Sequence, residues 1–400
     1  MPARIASSAQ AVPYSRVREL AELAMRMDAE TADPGEKVLR LYFGESNIPT
    51  PEFIRRAARK AMADGYLRYT ENAGLLSTRR ALASHYSEMH GVELDPESEI
   101  VVTASGVQAL NTGIRITLDP GDEALVLTPA WPNGSAIARY SCATPVEIPL
   151  ALSGNRYEID FDALERAVTP RTRTLIYTSP SNPLGWTATE RDQERLLEFT
   201  RRHELWLLAD EVYERLYYPR DGRPLGTPAP SILRQAARED AVIVVQSFSK
   251  SYCMTGWRVG WLVARRDLAA KAAELNEIVV SCASGFAQRA AETALLRGES
   301  SIREMLARLK ESRDFCLAAL RRMPGVTAPE PEGAFYVFPR IEGLTDSFDF
   351  CRRLLVETKV GIAPGGAFGA GGEGSLRICY ASDRPLLETA IARLARFLEK

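Results

Sequence analysis

Little in this 400-residue chain invites a metal, a disulfide or a membrane. Its three histidines, His85, His90 and His203, include no i,i+4 pair, which excludes a helical zinc-hydrolase motif. The six cysteines, at positions 142, 253, 282, 316, 351 and 379, contain no CxxC pair. In a chain of this length they read as reduced core residues of a cytoplasmic protein. No apolar run approaches the roughly 18 residues that cross a bilayer, and Met1 to Ala11 lacks the apolar centre of a signal peptide. Neither GxxxxGKS/T nor GxSxG occurs, which excludes a P-loop and the usual hydrolase elbow. An excess of one charge is missing too: 50 basic residues face 52 acidic ones, for a net charge of −2. Nothing in that balance points to a nucleic-acid or membrane-surface partner.

What is present is a globular composition, 46% apolar and 26% charged. The length predicts two domains, or a large one with a satellite. Short apolar runs at Ile100–Thr103, Ala124–Leu127, Thr174–Thr178, Leu205–Ala209, Val242–Gln246 and Val259–Val263 alternate with helical patterns at Val107–Thr117, Thr189–His203 and a long Asp267–Arg297. That alternation predicts an α/β fold with a mostly parallel sheet covered on both faces. The C-terminal third changes to an α+β pattern: helix Ser301–Arg322, strand Ala334–Phe338, helix Phe348–Thr358, strand Leu376–Tyr380 and a last helix from Pro385. We expect a large domain over 46–290, and a small one built from both chain ends, 1–45 with helix Ser15–Asp28 and 291–400. No internal repeat occurs, and the one low-complexity stretch, Gly365 to Gly374, reads as a mobile loop beside the site.

In open parallel sheets, ligands sit beyond the carboxyl ends of the strands. Those ends carry Ala104-Ser105-Gly106-Val107-Gln108, Pro129-Ala130-Trp131, Ser179-Pro180-Ser181-Asn182-Pro183, Asp210-Glu211-Val212-Tyr213 and the stretch SFSKSYCMTGWRVG from Ser247 to Gly260. Each alone has an ordinary reading: a strand-end Asp caps helices, a rim Trp packs, and a lone Lys250 is usually a surface charge. Together they form an anion cradle, an aromatic plate, an amide, a carboxylate, a phenol, a lysine and an arginine. Pyridoxal phosphate would use all of these: an aldehyde for the lysine, a ring nitrogen for the carboxylate, a ring face for the aromatic and a phosphate for a helix N-terminus.

The same residues carry a family resemblance. SFSKSYCMTGWRVG resembles the lysine signature of class I/II aminotransferases, pyridoxal-phosphate enzymes of fold type I, with Cys253 in a slot that expects Ala, Gly or Ser. LYFGESNIPTP, YLRYTENAGLLSTRRALASHY, TASGVQALNTGI, LTPAWPNG, SPSNPLG, ADEVY and SLRICYA are similar to the family's other blocks, in order, from about Leu41 onward. The resemblance implies a seven-stranded sheet in the large domain, a smaller α+β domain, and a homodimer with shared active sites. It implies that Lys250 carries the cofactor as a Schiff base and moves a proton between Cα and C4′. Asp210 would pair with the pyridine nitrogen, Tyr213 and Asn182 with the phenolic oxygen, and Trp131 with the ring face. Ser105, Gly106, Val107, Ser247 and Arg258 would hold the phosphate, with Tyr69 reaching it from the other subunit. Arg377 would bind the substrate α-carboxylate, helped by Gly44 and Asn182. No metal is implied.

Two departures bear on the substrate. Val107 stands where several members with acidic substrates carry lysine, and Leu184 replaces the usual Thr of the SNPTG turn. Without that cation, a neutral, aromatic or broad amino donor is expected rather than strict aspartate. The alternatives are a C–S β-lyase or related enzyme on the same lysine, and a non-catalytic effector-binding domain; the latter would need an added basic DNA-binding segment that this chain has no room for.

Overall fold

The structure, a computed structural model, describes residues 4–399. At its centre is a seven-stranded sheet of β1 (Ile100–Thr103), β2 (Glu123–Thr128), β3 (Thr144–Pro149), β4 (Thr172–Thr178), β5 (Trp206–Asp210), β6 (Val242–Ser247) and β7 (Gly260–Ala264). Their spatial order is β1-β7-β6-β5-β4-β2-β3. Only β7 runs antiparallel to its neighbours, which brings the carboxyl ends of the other six to one edge.

The strands read as unbroken apolar runs because both faces are covered. Ile100, Val102, Tyr177, Ala209 and Val244 pack into one core layer. Val101, Ile176, Leu208 and Ile243 enter the other, under helices Gly106–Thr117, Asn133–Tyr140 and Arg266–Val279. Each such side chain contributes about 1.5–3 kcal/mol by leaving water. Helix Glu190–Arg202 starts where the sequence sets it, since Thr189 and Asp192 close a reciprocal capping box.

Two features depart from the expected elements. The long helix Asp267–Arg297 is two helices, Arg266–Val279 and Gly285–Arg297. The β-branched run Ile278-Val279-Val280 disfavours helix, and Ser281 turns left-handed at φ 64°. Thr70 N–H donates to the Cys282 thiol (3.3 Å), and a Cβ on Gly285 would come within 3.1 Å of the Tyr66 carbonyl, so the corner is pressed onto the segment that carries Tyr69. The edge strand β3 was not expected, because Pro145 and Pro149 disguise it as a loop. At an edge their missing N–H groups cost nothing.

Near the C-terminus, β8 (Tyr336–Val337), β9 (Ala363–Pro364) and β10 (Leu376–Cys379) form a three-stranded antiparallel sheet with β10 in the middle. The N-terminal segment docks there: Leu39–Arg40 pairs in parallel with Val360–Gly361, and helix Arg16–Ala29 packs on helix Ser347–Thr358. Among the described residues, no helix is long and apolar enough to cross a membrane.

Candidate active site

Three residues beyond the buried end of β6, the Lys250 ammonium donates to the carbonyl of Gly44 (2.6 Å), 206 residues earlier in the chain. Burial pushes its pKa down to about 8; Arg377 adds to the shift, while Cys379, Glu45 and Asp210 oppose it. The rings of Tyr213 and Phe335 lie 5.8 and 6.0 Å from Nζ. Asp210 closes β5 and is 4% exposed. Burial pushes its carboxyl up to about 7, against the Val212 N–H (3.3 Å) and the nearby lysine. Trp131 and Asp210 line one small cavity with Thr178, so the predicted plate and carboxylate do meet.

The residues expected to cradle a phosphate stand together at the start of the next helix. Ser105 has a positive φ of 119°, and its hydroxyl caps helix Gly106–Thr117 by accepting from Gln108 N–H (3.3 Å). The N–H groups of Gly106 and Val107, in the first turn, have no intrahelical acceptor. A Cβ on Gly106 would stand 3.0 Å from Ser247 Cβ, and one on Gly260 would collide with the Gly106 nitrogen, so both glycines are forced by close approach. Ser247 Oγ donates to Ser249 Oγ (2.9 Å). Arg258 adopts φ 56°, exposes its side chain and donates from one arm to the Thr255 carbonyl (2.6 Å).

Arg377 is no edge-strand charge, since β10 is the middle strand. It is 4% exposed. One arm donates to Asn182 Oδ1 (3.0 Å) and the other to the Tyr42 carbonyl, while Nε, although buried, has no partner. The guanidinium lies over the rings of Tyr336 (4.7 Å) and Phe368 (4.8 Å). A buried guanidinium held flat with a donor to spare is built for a planar carboxylate. A side chain on Gly44 would overlap the Tyr336 hydroxyl, which in turn hydrogen-bonds Tyr213 (2.7 Å).

Of the expected site residues, Tyr69, Val107 and Arg258 are exposed, and Tyr69 is the most so, 86% exposed beside the helix corner. Three contributors were missed. Tyr336 and Phe368 lay in segments read as an ordinary strand and a mobile loop; alternation along Ala334–Phe338 does not tell which face meets Lys250. Glu214, four residues after Asp210, braces the site from behind. Burial opposes its ionisation, yet His90 (3.0 Å) and His85 (3.6 Å) hold its carboxyl well below the usual range, and Gln246, next to Ser247, donates to it. Cys253 takes a left-handed φ of 53°, its thiol lies 3.6 Å from the Met305 sulfur, and burial pushes that thiol up to about 11, which disfavours the thiolate.

A lysine with a depressed pKa, a buried carboxyl, a cradle that a single Cβ would fill and an arginine with an unused donor fit pyridoxal phosphate and an amino acid together. Comparison with known proteins agrees. Residues 37–394 match the family model described as aminotransferase class I and II. The chain is 33% identical over 390 residues to an aromatic-amino-acid aminotransferase of Thermococcus litoralis, covering 96% of each. It is 32% identical over 400 residues to an aspartate aminotransferase of Pyrococcus horikoshii, covering 99% of this chain and 97% of the other. The crystal structure of an aspartate aminotransferase from Thermotoga maritima superposes with a TM-score of 0.90 at 30% identity, covering 99% of this chain and 100% of that one. The chain therefore belongs to the class I and II aminotransferases, enzymes of fold type I that depend on pyridoxal phosphate.

Proposed function

We propose that this enzyme moves the amino group of a neutral or aromatic L-amino acid, within a broad range, to a 2-oxo acid. One observation carries the preference. Beside Lys250 opens a cavity of about 680 Å³ lined by Ile48, Trp257, Phe286 and Phe335. Its two guanidiniums, Arg55 and Arg59, share the single carboxylate of Glu52, so the cavity holds at most one uncompensated positive charge beside these apolar and aromatic walls. The names of the relatives do not choose, since aromatic and aspartate enzymes are about equally similar. They are all named as aminotransferases, which favours transamination over β-elimination. Loaded with cofactor, the protein should turn over phenylalanine, tyrosine or leucine with 2-oxoglutarate or pyruvate at a kcat/KM roughly tenfold or more above aspartate. A clear aspartate preference would overturn the donor assignment; 2-oxo acid release without an acceptor would make it a lyase.

Each side chain then has a task. When bound, pyridoxal phosphate supplies an aldehyde that takes up an amine and a cationic ring that accepts the electron pair left at Cα. Lys250, as a neutral amine, would take up a proton at Nζ from the substrate Cα and give it back as the amino group is moved. Asp210 sits where it must be ionised to keep the ring nitrogen protonated, and a cation beside it would pull its raised pKa back down. Tyr213, pinned by Tyr336, and Asn182 donate to the phenolic oxygen, and Trp131 stacks on the ring. Ser105, Gly106, Val107, Ser247 and Arg258 hold the phosphate by unpaired N–H groups, hydroxyls and a guanidinium. Arg377 binds the α-carboxylate through its free Nε–H and a neighbouring arm, with Gly44 lining the pocket, which fixes Cα against Lys250. Phe335, Tyr336 and Phe368 keep water from that carboxylate.

The working unit in this reading is a homodimer, with residues 46–290 as the large domain of each subunit and both chain ends forming the small one. Leu67, Tyr69, Ile278 and Val279 are 66%, 86%, 78% and 55% exposed, and the bond from Thr70 to Cys282 places them on one patch. An apolar patch of that kind suits a second copy of the chain, and brings Tyr69 to the partner's phosphate. Sedimentation should show a dimer for the natural protein and a monomer with weakened cofactor affinity for Ile278→Asp. A fully loaded, active monomer would sink this assembly.

A further inference from the structure

The glycine-rich stretch after β9 is tied down at both ends, and its ties lie on different parts of the molecule. On the C-terminal side, Glu373 accepts from the Ser347 N–H (2.7 Å) and hydroxyl (3.1 Å), and Gly366 N–H donates to Ser347 Oγ (3.1 Å). On the sheet side, Ala130 N–H donates to the Phe368 carbonyl (2.9 Å), and Ala370 N–H donates to Glu147 Oε2 (2.9 Å). Glu147 stands on the edge strand β3, and its other oxygen is held by the Ser135 hydroxyl (2.8 Å). The strap is pressed onto this strand. A Cβ on Gly369 would come within 2.8 Å of Glu147 Oε2, and one on Gly371 within 2.9 Å of Pro149 Cβ. Both glycines have positive φ, 89° and 78°, so a substituted strap would be strained as well as crowded.

Between these anchors lies Phe368, 2% exposed, its ring 4.8 Å from the Arg377 guanidinium. The second ring on that guanidinium, Tyr336, is set by the ladder between β8 and β10. Phe368 has no ladder; it is held by its carbonyl bond to Ala130, its edge contact with Phe338 and the strap around it. Glu147 belongs to none of the groups that would meet cofactor or substrate. Building on the aminotransferase reading, we propose that Glu147 is a positioning residue for carboxylate binding: it latches the strap to the sheet edge and so holds Phe368 against Arg377. Affinity for the substrate carboxylate thereby depends on contact between the C-terminal sheet and the central one.

Glu147→Ala removes the acceptor, Glu147→Gln keeps one for Ala370, and Phe368→Leu keeps apolar bulk but loses the aromatic face. In the cofactor-free protein, hydrogen–deuterium exchange over 366–374 should speed up in Glu147→Ala and stay near natural in Glu147→Gln. With cofactor bound, the affinity for 3-phenylpropionate, a carboxylate without an amino group, is read from the cofactor's absorbance. It should weaken roughly three- to tenfold in Glu147→Ala and in Phe368→Leu, as expected for one lost hydrogen bond or one lost cation–π contact, and by less than twofold in Glu147→Gln. KM should rise more than kcat falls, with cofactor affinity unchanged. Unchanged exchange in Glu147→Ala would refute the latch, and faster exchange with affinity within twofold of natural would refute the positioning. If Glu147→Ala does not fold, Phe368→Leu decides, and natural carboxylate affinity in that variant refutes the proposal. A natural protein that takes up no pyridoxal phosphate would instead sink the functional reading, and the exchange experiment would still decide the latch.

Discussion

Lys250→Ala should lose turnover by about 10⁴-fold or more, because one side chain serves as both cofactor anchor and proton carrier. It should also lose covalent attachment: borohydride reduction, which bleaches the yellow of the natural protein and leaves the cofactor bound as a secondary amine, should leave no cofactor absorbance on the denatured variant. The cradle of Ser105, Gly106 and Ser247 is untouched, so the variant should still bind pyridoxal phosphate reversibly. Burial supplies a pH signature. With its pKa lowered to about 8, Lys250 is the free amine in roughly one-tenth of molecules at pH 7, several hundred times more than an ordinary lysine. The neutral amine is the nucleophile, so capture of cofactor by the empty protein should speed up as pH rises, with its midpoint near 8 rather than 10.5. A midpoint near 10.5, or covalent colour surviving in Lys250→Ala, would place the chemistry on another residue.

Asp210→Asn should cost about 10²–10³-fold in kcat, since an amide of the same shape cannot hold a proton on the ring nitrogen by charge. A second readout separates this role from a structural one. Burial raises the Asp210 carboxyl from 3.8 to about 7 in the folded, cofactor-free protein. A group raised in this way favours the fold while protonated; its contribution is complete below the unfolded pKa and is lost as pH rises through the folded one. Cofactor-free natural protein should therefore weaken between pH 5.5 and 8 relative to Asp210→Asn, by roughly 2 kcal/mol. The cofactor should reverse the order, because its cationic ring gives the natural carboxylate a partner that the amide cannot use. Equal stabilisation of both proteins by cofactor would argue against the ion pair.

The sequence and the structure divide this protein along a physical line. Whatever depends on near neighbours was legible in the chain. The strands read as unbroken apolar runs because both faces are buried, and Thr189 with Asp192 marks a helix start within four residues. Parallel topology alone brings the strand ends together, so the segments just past those ends already contained Ser105, Trp131, Asn182, Asp210, Tyr213 and Lys250. Whatever depends on contacts between distant segments was not legible. Arg377 owes its orientation to Tyr42, 335 residues away, and to Phe368 on a strap that composition alone presented as loose. Tyr336 sits on a strand whose face toward Lys250 only packing could choose. The helix expected over Asp267–Arg297 breaks because the corner must fit the segment before Tyr69. The sequence by itself determined the α/β class and the family, and singled out Lys250 as the candidate reactive lysine. The tertiary structure decided that this lysine titrates near 8, because desolvation is a property of everything packed around Nζ, drawn from segments as distant as Gly44, 206 residues away.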